Sequence, residues 1–166
     1  MKGKNYRAPV GMPYVRKEYI AGNPGLKIAK FTSGNSSNDY DYKLELVADG
    51  VAQIRQNALE ACRLAANKTL ASEVGESAFF SVLKLYPHVI LRENKMIAAA
   101  GADRLQEGMR RAFGKAVGRA ARVKHGQTII EIYTKENALE AAKEALRTAG
   151  SKLPIKTSVK ITKLKN

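Results

Sequence analysis

The stretch LRENKMIAAAGADRLQEGMRRAFGKAVGRAARVKHGQ, residues 91–127, lies between two groups of predicted strands and helices. Five glycines interrupt it, so no unbroken helix can run through it: Gly101, Gly108, Gly114, Gly118 and Gly126. A loop of this length inside a compact domain is unusual and is typically functional or disordered. We interpret its centre, about residues 96–118, as a long basic internal loop that approaches a phosphate-bearing surface.

The charge of this stretch indicates its binding chemistry. It holds nine basic and three acidic residues, and no carboxylate follows Arg110 within it. Arginine forks pair with phosphate oxygens two at a time, and glycine lets the backbone come close. Because nothing else neutralises the cations from Arg110 to Arg122, we expect the loop to be mobile in the free protein. The candidate RNA-binding residues here are Arg92, Lys95, Arg110, Arg111, Lys115, Arg119, Arg122 and Lys124.

Basic charge is also segregated along the rest of the 166-residue chain, whose net charge is +14. Residues 1–30 carry +6, residues 91–127 carry +6 and residues 152–166 carry +5, whereas residues 31–90 carry −2 and residues 128–151 carry −1. The hydrophobic content of 45% indicates a folded protein, which we interpret as one domain, residues 1–166. The confinement of the excess charge to three segments favours a polyanionic partner.

The N-terminal residues 1–25 form a basic segment with prolines, glycines and no helical or strand periodicity. Three tyrosines alternate there with cations, a composition that suits base stacking together with phosphate contact. The alternative is a tail that packs its tyrosines on its own domain, and both interpretations are open. The candidate RNA-binding residues of the segment are Arg7, Tyr14, Arg16 and Lys17.

Periodicity predicts the first set of regular elements. Alternation from Tyr42 to Ala48 predicts a half-buried strand, and LKIAKF at residues 26–31 a short one. A helix is predicted from Asp49 or Gly50, with Gln53 on its polar side. Its apolar stripe consists of Val51, Ile54, Ala58, Ala61 and Ala65, widened by Leu59, Cys62 and Ala66. Two arginines of that helix, Arg55 and Arg63, are candidates for phosphate contact, and ordinary solvated helix arginines are an equal alternative.

The second set follows the same rules. FFSVLKLY, residues 79–86, and TIIEIYT, residues 128–134, are predicted strands. Thr134 or Asn137 is predicted to cap a second helix that Gly150 ends, because Asn137 and Glu140 have capping-box spacing. Alternation over residues 155–162 predicts a last strand with a lysine-bearing face. The expected fold is α+β, with two helices packed against a mainly antiparallel sheet.

The sequence gives little support for catalysis. It has no phosphate loop ending in Lys-Ser or Lys-Thr, no nucleophile elbow and only two histidines, His88 and His125. The single cysteine, Cys62, excludes an intramolecular disulfide and is expected to be a buried thiol. We therefore expect no enzyme activity, no cofactor, no metal and no small-molecule substrate. No apolar run is long enough for a membrane span, and we expect a cytoplasmic protein without a membrane partner.

Motifs across nearly the whole chain resemble the universal large-subunit ribosomal proteins called L-ten-e in archaea and eukaryotes, counterparts of bacterial L-sixteen. The archaeal type is the better match, because the basic tyrosine-containing start and the GADR run are both present. The motifs are PY at 13–14, RKEYI at 16–20, PG at 24–25, QIR at 53–55, NALEA at 57–61, YPH at 86–88, LRENKM at 91–96, GADR at 101–104, GMRRAFGK at 108–115 and AAKEAL at 141–146. The chain departs from the family pattern at Met12, Thr32-Ser33, Ala116 and Arg119, which bears on individual contacts.

This resemblance implies a function. Such proteins bind large-subunit rRNA between the peptidyl-transferase region and the central protuberance, beside neighbouring ribosomal proteins, and leave catalysis to the rRNA. Their internal loop, here about residues 98–113, points toward the acceptor arms of tRNA in the A and P sites. The residues that would lie nearest tRNA are Gly101, Ala102, Asp103, Arg104 and Gly108. The alternative is a free-standing RNA- or DNA-binding module, which would not be stoichiometric with large subunits.

Overall fold

The structure, a computed structural model, describes residues 2–95 and 109–164, and over these ranges the chain forms eight strands and two α-helices. Short 3₁₀ turns at Gly3–Tyr6, Lys17–Tyr19 and Glu136–Ala138 complete the regular structure of these ranges. The elements are β1 (Thr32–Gly34), β2 (Tyr42–Ala48), β3 (Ala52–Arg55), α1 (Gln56–Glu73), β4 (Phe79–Leu83), β5 (Val89–Glu93), β6 (Lys115–Val123), β7 (Thr128–Thr134), α2 (Leu139–Gly150) and β8 (Thr157–Lys163).

The strands form two antiparallel sheets within the described ranges. The first sheet has the order β1-β4-β7-β2-β8, and the second has the order β3-β6-β5. In the first sheet Leu44 of β2 lies opposite Ile132 of β7 on one side and Ile161 of β8 on the other. Two helices with antiparallel sheets confirm the predicted α+β class.

Both helices pack on one face of the first sheet. Leu44, Leu46 and Ile132 of the sheet are fully buried against Leu70 of α1 and Leu146 of α2. Burial of each such side chain contributes roughly 1.5–3 kcal/mol before the entropy cost of ordering is subtracted. Small residues fill the space between the helices and let them approach closely: Ala66, Ala142, Ala145 and Ala149.

A second cluster of buried residues joins the two sheets. Ala48 and Ile129 of the first sheet meet Ile54 and Val123 of the second, and Leu59 of α1 covers them. The second sheet is therefore fixed to the rest of the fold through its β3 and β6 strands. The site described below depends on this attachment.

Helix α1 begins at Gln56, so the predicted start at Asp49 or Gly50 is wrong. Residues 52–55 are the strand β3, which pairs with β6. Four consecutive residues with three of them buried show no alternation, so local periodicity cannot separate this short strand from a helix. Of the predicted stripe of α1, Ala61 is exposed, whereas Leu59, Cys62 and Ala66, predicted to widen it, are buried together with Leu70.

The predicted loop of about residues 96–118 is also too long at its C-terminal end. Residues 115–123 form β6, the central strand of the second sheet, and Gly118 lies inside it opposite Leu91. The glycines and cations that predicted a loop are compatible with a strand here because both neighbours, β3 and β5, supply the pairing. Residues 96–108, the centre of the predicted loop, lie outside the described residues.

Several other boundaries differ from the prediction. Residues 26–31 form no strand, and β4 ends at Leu83 rather than at residue 86. Within residues 109–164, no side chain caps α2, whose N-cap is Ala138. Thr134 is instead fully buried, with its hydroxyl donating to the carbonyl oxygen of Lys135. Helix α2 does end at Gly150, as predicted.

The single thiol lies in the core. Cys62 is fully buried on α1, and this burial raises the pKa of its thiol to about 12. A thiol that stays protonated is a poor nucleophile and a poor metal ligand. The prediction of a buried thiol is confirmed.

Gly34 in β1 provides a test of the fold. Its φ is +89°, and a Cβ there would lie 2.1 Å from the carbonyl oxygen of Phe79. We expect Gly34→Ala to lower the free energy of unfolding by about 3 kcal/mol or more, because backbone strain and a backbone clash add. Gly126 is the matched control, since its φ is +78° with nothing within 4 Å. Gly126→Ala should cost about 1 kcal/mol in urea unfolding, and equal losses would contradict the expectation.

Candidate nucleic-acid interface

The basic N-terminal segment lies along the second sheet and bonds to both of its edge strands. The N–H of Gln53 in β3 donates to the carbonyl oxygen of Arg7 at 2.7 Å, and the N–H of Ile90 in β5 donates to that of Tyr14 at 2.8 Å. The Tyr6 hydroxyl donates to the carbonyl oxygen of Arg92 at 3.0 Å. Burial, followed by the nearby Glu93 charge, raises the pKa of Tyr6. Tyr6 and Tyr14 thus pack on their own domain, one of the two alternatives for this segment.

Arg119 of β6 holds the C-terminal part of this segment. Its Nε donates to the carbonyl oxygen of Pro24 at 2.7 Å, and its Nη2 donates to the side-chain oxygen of Asn23 at 3.2 Å. Its Nη1 lies 3.4 Å from the hydroxyl of Tyr86. The residue is 9% exposed. All three guanidinium nitrogens of Arg119 therefore have partners inside the protein.

Arg122 of the same strand holds the middle of the segment. Its Nη1 donates to the carbonyl oxygen of Gly11 at 2.7 Å, and its Nη2 donates to that of Val10 at 3.3 Å. Its Nε donates to the side-chain oxygen of Gln53 at 3.3 Å. The two arginines of β6 therefore have partners within the protein, which the expectation of a free loop did not include. These partners are carbonyl, amide and hydroxyl oxygens, which solvate the guanidinium groups without neutralising their charge.

Three residues that are distant in sequence form a stack beside the β5–β6 connection. The guanidinium carbon of Arg92 lies 3.5 Å from the ring centre of Phe113 and 5.4 Å from that of Tyr14. The two rings meet edge to face with their centres 5.5 Å apart. The Nη1 of Arg92 also donates to the carbonyl oxygen of Phe113 at 2.6 Å. The stack joins the N-terminal segment, β5 and the turn that precedes β6.

That turn, residues 109–114, carries exposed cations. Arg110 and Arg111 are exposed, and the φ of Arg111 is 59°. Gly114 has a φ of +76°, and a Cβ there would lie 2.6 Å from the carbonyl carbon of Glu93. Only glycine allows the backbone of the turn to come this close to the end of β5. The turn therefore presents its arginines from a fixed backbone, and Lys115 follows them at the exposed start of β6.

The other predicted site residues are buried, half-buried, exposed or outside the described residues. Arg63 is 7% exposed, and its Nε and Nη2 donate to the carboxylate of Glu60 at 3.0 and 2.6 Å. The Arg63 hydrogen bond is the main reason that the pKa of Glu60 is lowered. Arg55 is half-buried at the N-cap of α1. The exposed group consists of Arg7, Arg16, Lys17, Lys95 and Lys124, and the group outside the described residues consists of Gly101, Ala102, Asp103, Arg104 and Gly108.

Sequence reasoning missed the residues that shape this surface without carrying charge. Gln53 was assigned to the polar side of a helix, but it is 8% exposed in β3 and binds both Tyr6 and Arg122. The Tyr86 hydroxyl accepts a hydrogen bond from Arg119, and the centre of the Tyr86 ring lies 5.8 Å from the ammonium nitrogen of Lys17. No local pattern marks these roles, because each depends on a chain segment at least 33 residues away.

The arrangement suits many separate contacts with a polyanion. Exposed cations of the N-terminal segment and of the turn 109–114 lie on a backbone that internal hydrogen bonds hold in place. Over residues 2–95 and 109–164, no group of three or more His, Cys, Asp and Glu side chains could hold a metal ion. In the same part of the chain, no helix is both long enough and apolar enough to cross a membrane.

Comparisons with known proteins agree with this arrangement. A family model described as ribosomal protein L16p/L10e matches residues 9–160. The chain is 54% identical to the large ribosomal subunit protein uL16 of Hyperthermus butylicus over 155 residues, which cover 93% of this chain and 86% of the relative. It is 53% identical to the uL16 protein of Saccharolobus solfataricus over 165 residues, which cover 98% of this chain and 93% of the relative. The similarity therefore extends through the fold and the basic segments together.

The tether made by Arg119 can be tested by substitution. We expect Arg119→Met to release the end of the N-terminal segment and to lower the free energy of unfolding by about 2 kcal/mol, because Pro24 and Asn23 lose a charged donor. Trypsin should then cut faster at Lys17. Arg147→Met is the matched control, since the Arg147 side chain is 74% exposed. Unchanged cleavage and unchanged urea unfolding for Arg119→Met would show that the tether does not hold the segment.

Proposed function

The chain belongs to the ribosomal protein L16p/L10e family, and we propose that it binds large-subunit rRNA through its N-terminal segment and the turn 109–114. It is a structural constituent of the ribosome and not an enzyme. Its place of action in this proposal is the large subunit in the cytoplasm, beside other ribosomal proteins. The observation that carries the proposal is the division of the cations between internal tethers and exposed positions.

This division separates residues that shape the surface from residues that meet the RNA. Arg63, Arg119 and Arg122 bind acceptors within the protein, so we assign them to positioning. Tyr14, Arg55 and Arg92 are half-buried and contribute both to packing and to the surface. The proposed direct rRNA contacts are the exposed residues Arg7, Arg16, Lys17, Lys95, Arg110, Arg111, Lys115 and Lys124.

Recognition of this kind depends on backbone and shape. Double-helical RNA has a deep, narrow major groove that side chains cannot read, so it is recognised mostly by shape and by contacts to phosphates and 2′-hydroxyls. Each phosphate that a cation neutralises steepens the dependence of log K on log salt by about 0.7–0.9. A preordered surface also lowers the entropy cost of binding. Fixed exposed cations are therefore well suited to stable assembly.

The finer placement follows from the family. We propose that the protein lies near the peptidyl-transferase region and the central protuberance, with residues 98–113 directed at tRNA acceptor arms in the A and P sites. The stack of Tyr14, Arg92 and Phe113 supports this proposal, because it fixes the point where that segment enters β6. Gly101, Ala102, Asp103, Arg104 and Gly108 are the residues proposed to lie closest to tRNA.

The double variant Arg110→Ala, Arg111→Ala tests the proposal. Sucrose-gradient sedimentation of a tagged wild-type protein should show one copy per large subunit after a moderate-salt wash. The variant should fold normally but dissociate at lower salt, with the binding slope on rRNA reduced by about 1.4–1.8. The physical reason is the loss of two phosphate contacts without loss of core packing.

The matched control is Lys135→Ala, Arg147→Ala, which removes the same charge from two exposed positions beside and on α2. It should leave salt-dependent release unchanged. A large loss of thermal stability in the Arg110, Arg111 variant would contradict its assignment to RNA contact. Wild-type protein left at the top of the gradient above intact ribosomes would contradict the ribosomal assignment and favour a free-standing RNA- or DNA-binding module.

A further inference from the structure

Three chain segments enclose a groove of about 350 Å³. No residue of the turn 109–114 lines this groove. One wall is the 3₁₀ turn at the N-terminus, the second is the junction of β3 and α1, and the third is the connection between α2 and β8. The lining residues are Gly3, Lys4, Arg7, Gln53, Arg55, Ala58, Lys152, Leu153 and Pro154. We propose that this groove binds the phosphodiester backbone of RNA, with Lys4 and Lys152 among its phosphate contacts.

The charge of the groove is the first argument. Lys4, Arg7, Arg55 and Lys152 contribute four cations, and no carboxylate is among the described residues that line it. Cations gathered from three segments repel one another, and an anion that enters the groove relieves this repulsion. The first turn of α1, which contributes Ala58, also carries no acidic residue. The lining therefore supplies no negative charge of its own.

The backbone that carries these cations is held in place without RNA. The N–H of Gln53 donates to the carbonyl oxygen of Arg7 at 2.7 Å, and its side-chain amide donates to that of Tyr6 at 3.1 Å. The N–H of Lys152 donates to the carbonyl oxygen of Ala149 at 3.1 Å. Both Arg7 and Lys152 thus start from fixed main-chain positions, which reduces the entropy lost when a ligand binds.

The groove fits a sugar–phosphate backbone better than a base or an isolated phosphate. No aromatic ring is among its described lining residues, so a base has no stacking surface. The side-chain amide of Gln53 already donates to the carbonyl oxygen of Tyr6 and accepts from the Nε of Arg122, which limits its capacity to read a base edge. The cations line three sides of an open groove, which suits several consecutive phosphates. Leu153 and Pro154 add an apolar wall against which a ribose can pack.

This inference rests on the proposed rRNA binding and extends it to a second contact region. RNA in the groove would bridge the N-terminal segment and the α2–β8 connection, regions about 145 residues apart in the chain. Residues 152–166 carry a net charge of +5, and RNA in the groove would contact Lys152, the first lysine of this segment. Arg7, which is already proposed as a direct rRNA contact, would contact the RNA that lies in this groove.

The test is the double variant Lys4→Ala, Lys152→Ala, with binding to deproteinised large-subunit rRNA measured over a range of salt. We expect the slope of log K against log salt to fall by about 1.4–1.8, because two phosphate contacts are lost. Thermal unfolding should not change, since both lysines are exposed. Lys4→Arg, Lys152→Arg should restore the slope. Lys68→Ala, Lys135→Ala is the matched control and should keep the wild-type slope.

The remaining outcomes separate this inference from the function on which it rests. A wild-type slope for Lys4→Ala, Lys152→Ala, with a reduced slope for Arg110→Ala, Arg111→Ala, would overturn the groove and leave rRNA binding intact. Unchanged rRNA binding with easier release from assembled subunits would assign the groove to an acidic protein segment and also overturn it. Failure of the wild-type protein to bind rRNA would overturn the proposed function and this inference together.

Discussion

Two arginines of the central strand β6, Arg119 and Arg122, hold the N-terminal segment on the second sheet through its main-chain carbonyls. A segment rich in proline and glycine has few main-chain partners of its own for these carbonyls. Guanidinium groups supply several donors each without requiring a strand. Together with the main-chain bonds from Gln53 and Ile90, these two arginines set the position of the cations in the segment.

This tether explains how one strongly basic chain divides its arginines. A buried guanidinium is stable only where acceptors surround it, as Glu60 does for Arg63 and Pro24 does for Arg119. Exposed arginines such as Arg110 and Arg111 stay near water and near any polyanion that approaches. Net charge predicts the partner class, whereas burial determines which residues meet it. The same fold therefore supplies both the support and the binding surface.

The sequence predicted the elements whose signal is local and missed those that depend on distant pairing. Alternation placed β2 correctly at residues 42–48, and the apolar run at residues 128–134 was correctly predicted as a strand, β7. Strand β3 was missed because its buried residues also match a helical stripe, and β6 was missed because glycine and arginine are typical of loops. The contacts of Gln53, Phe113 and Arg119 join residues 21 to 99 positions apart, so no window of sequence reveals them.

The most direct measurement is amide hydrogen exchange in the RNA-free protein at Gln53 and Ile90. Both lie on edge strands of the second sheet, and their N–H groups donate to Arg7 and Tyr14 of the N-terminal segment. If the segment is docked before RNA arrives, both amides exchange slowly, because opening requires the segment to detach. Exchange at the rate of an unprotected amide at both positions would mean that RNA, and not β6, orders the segment.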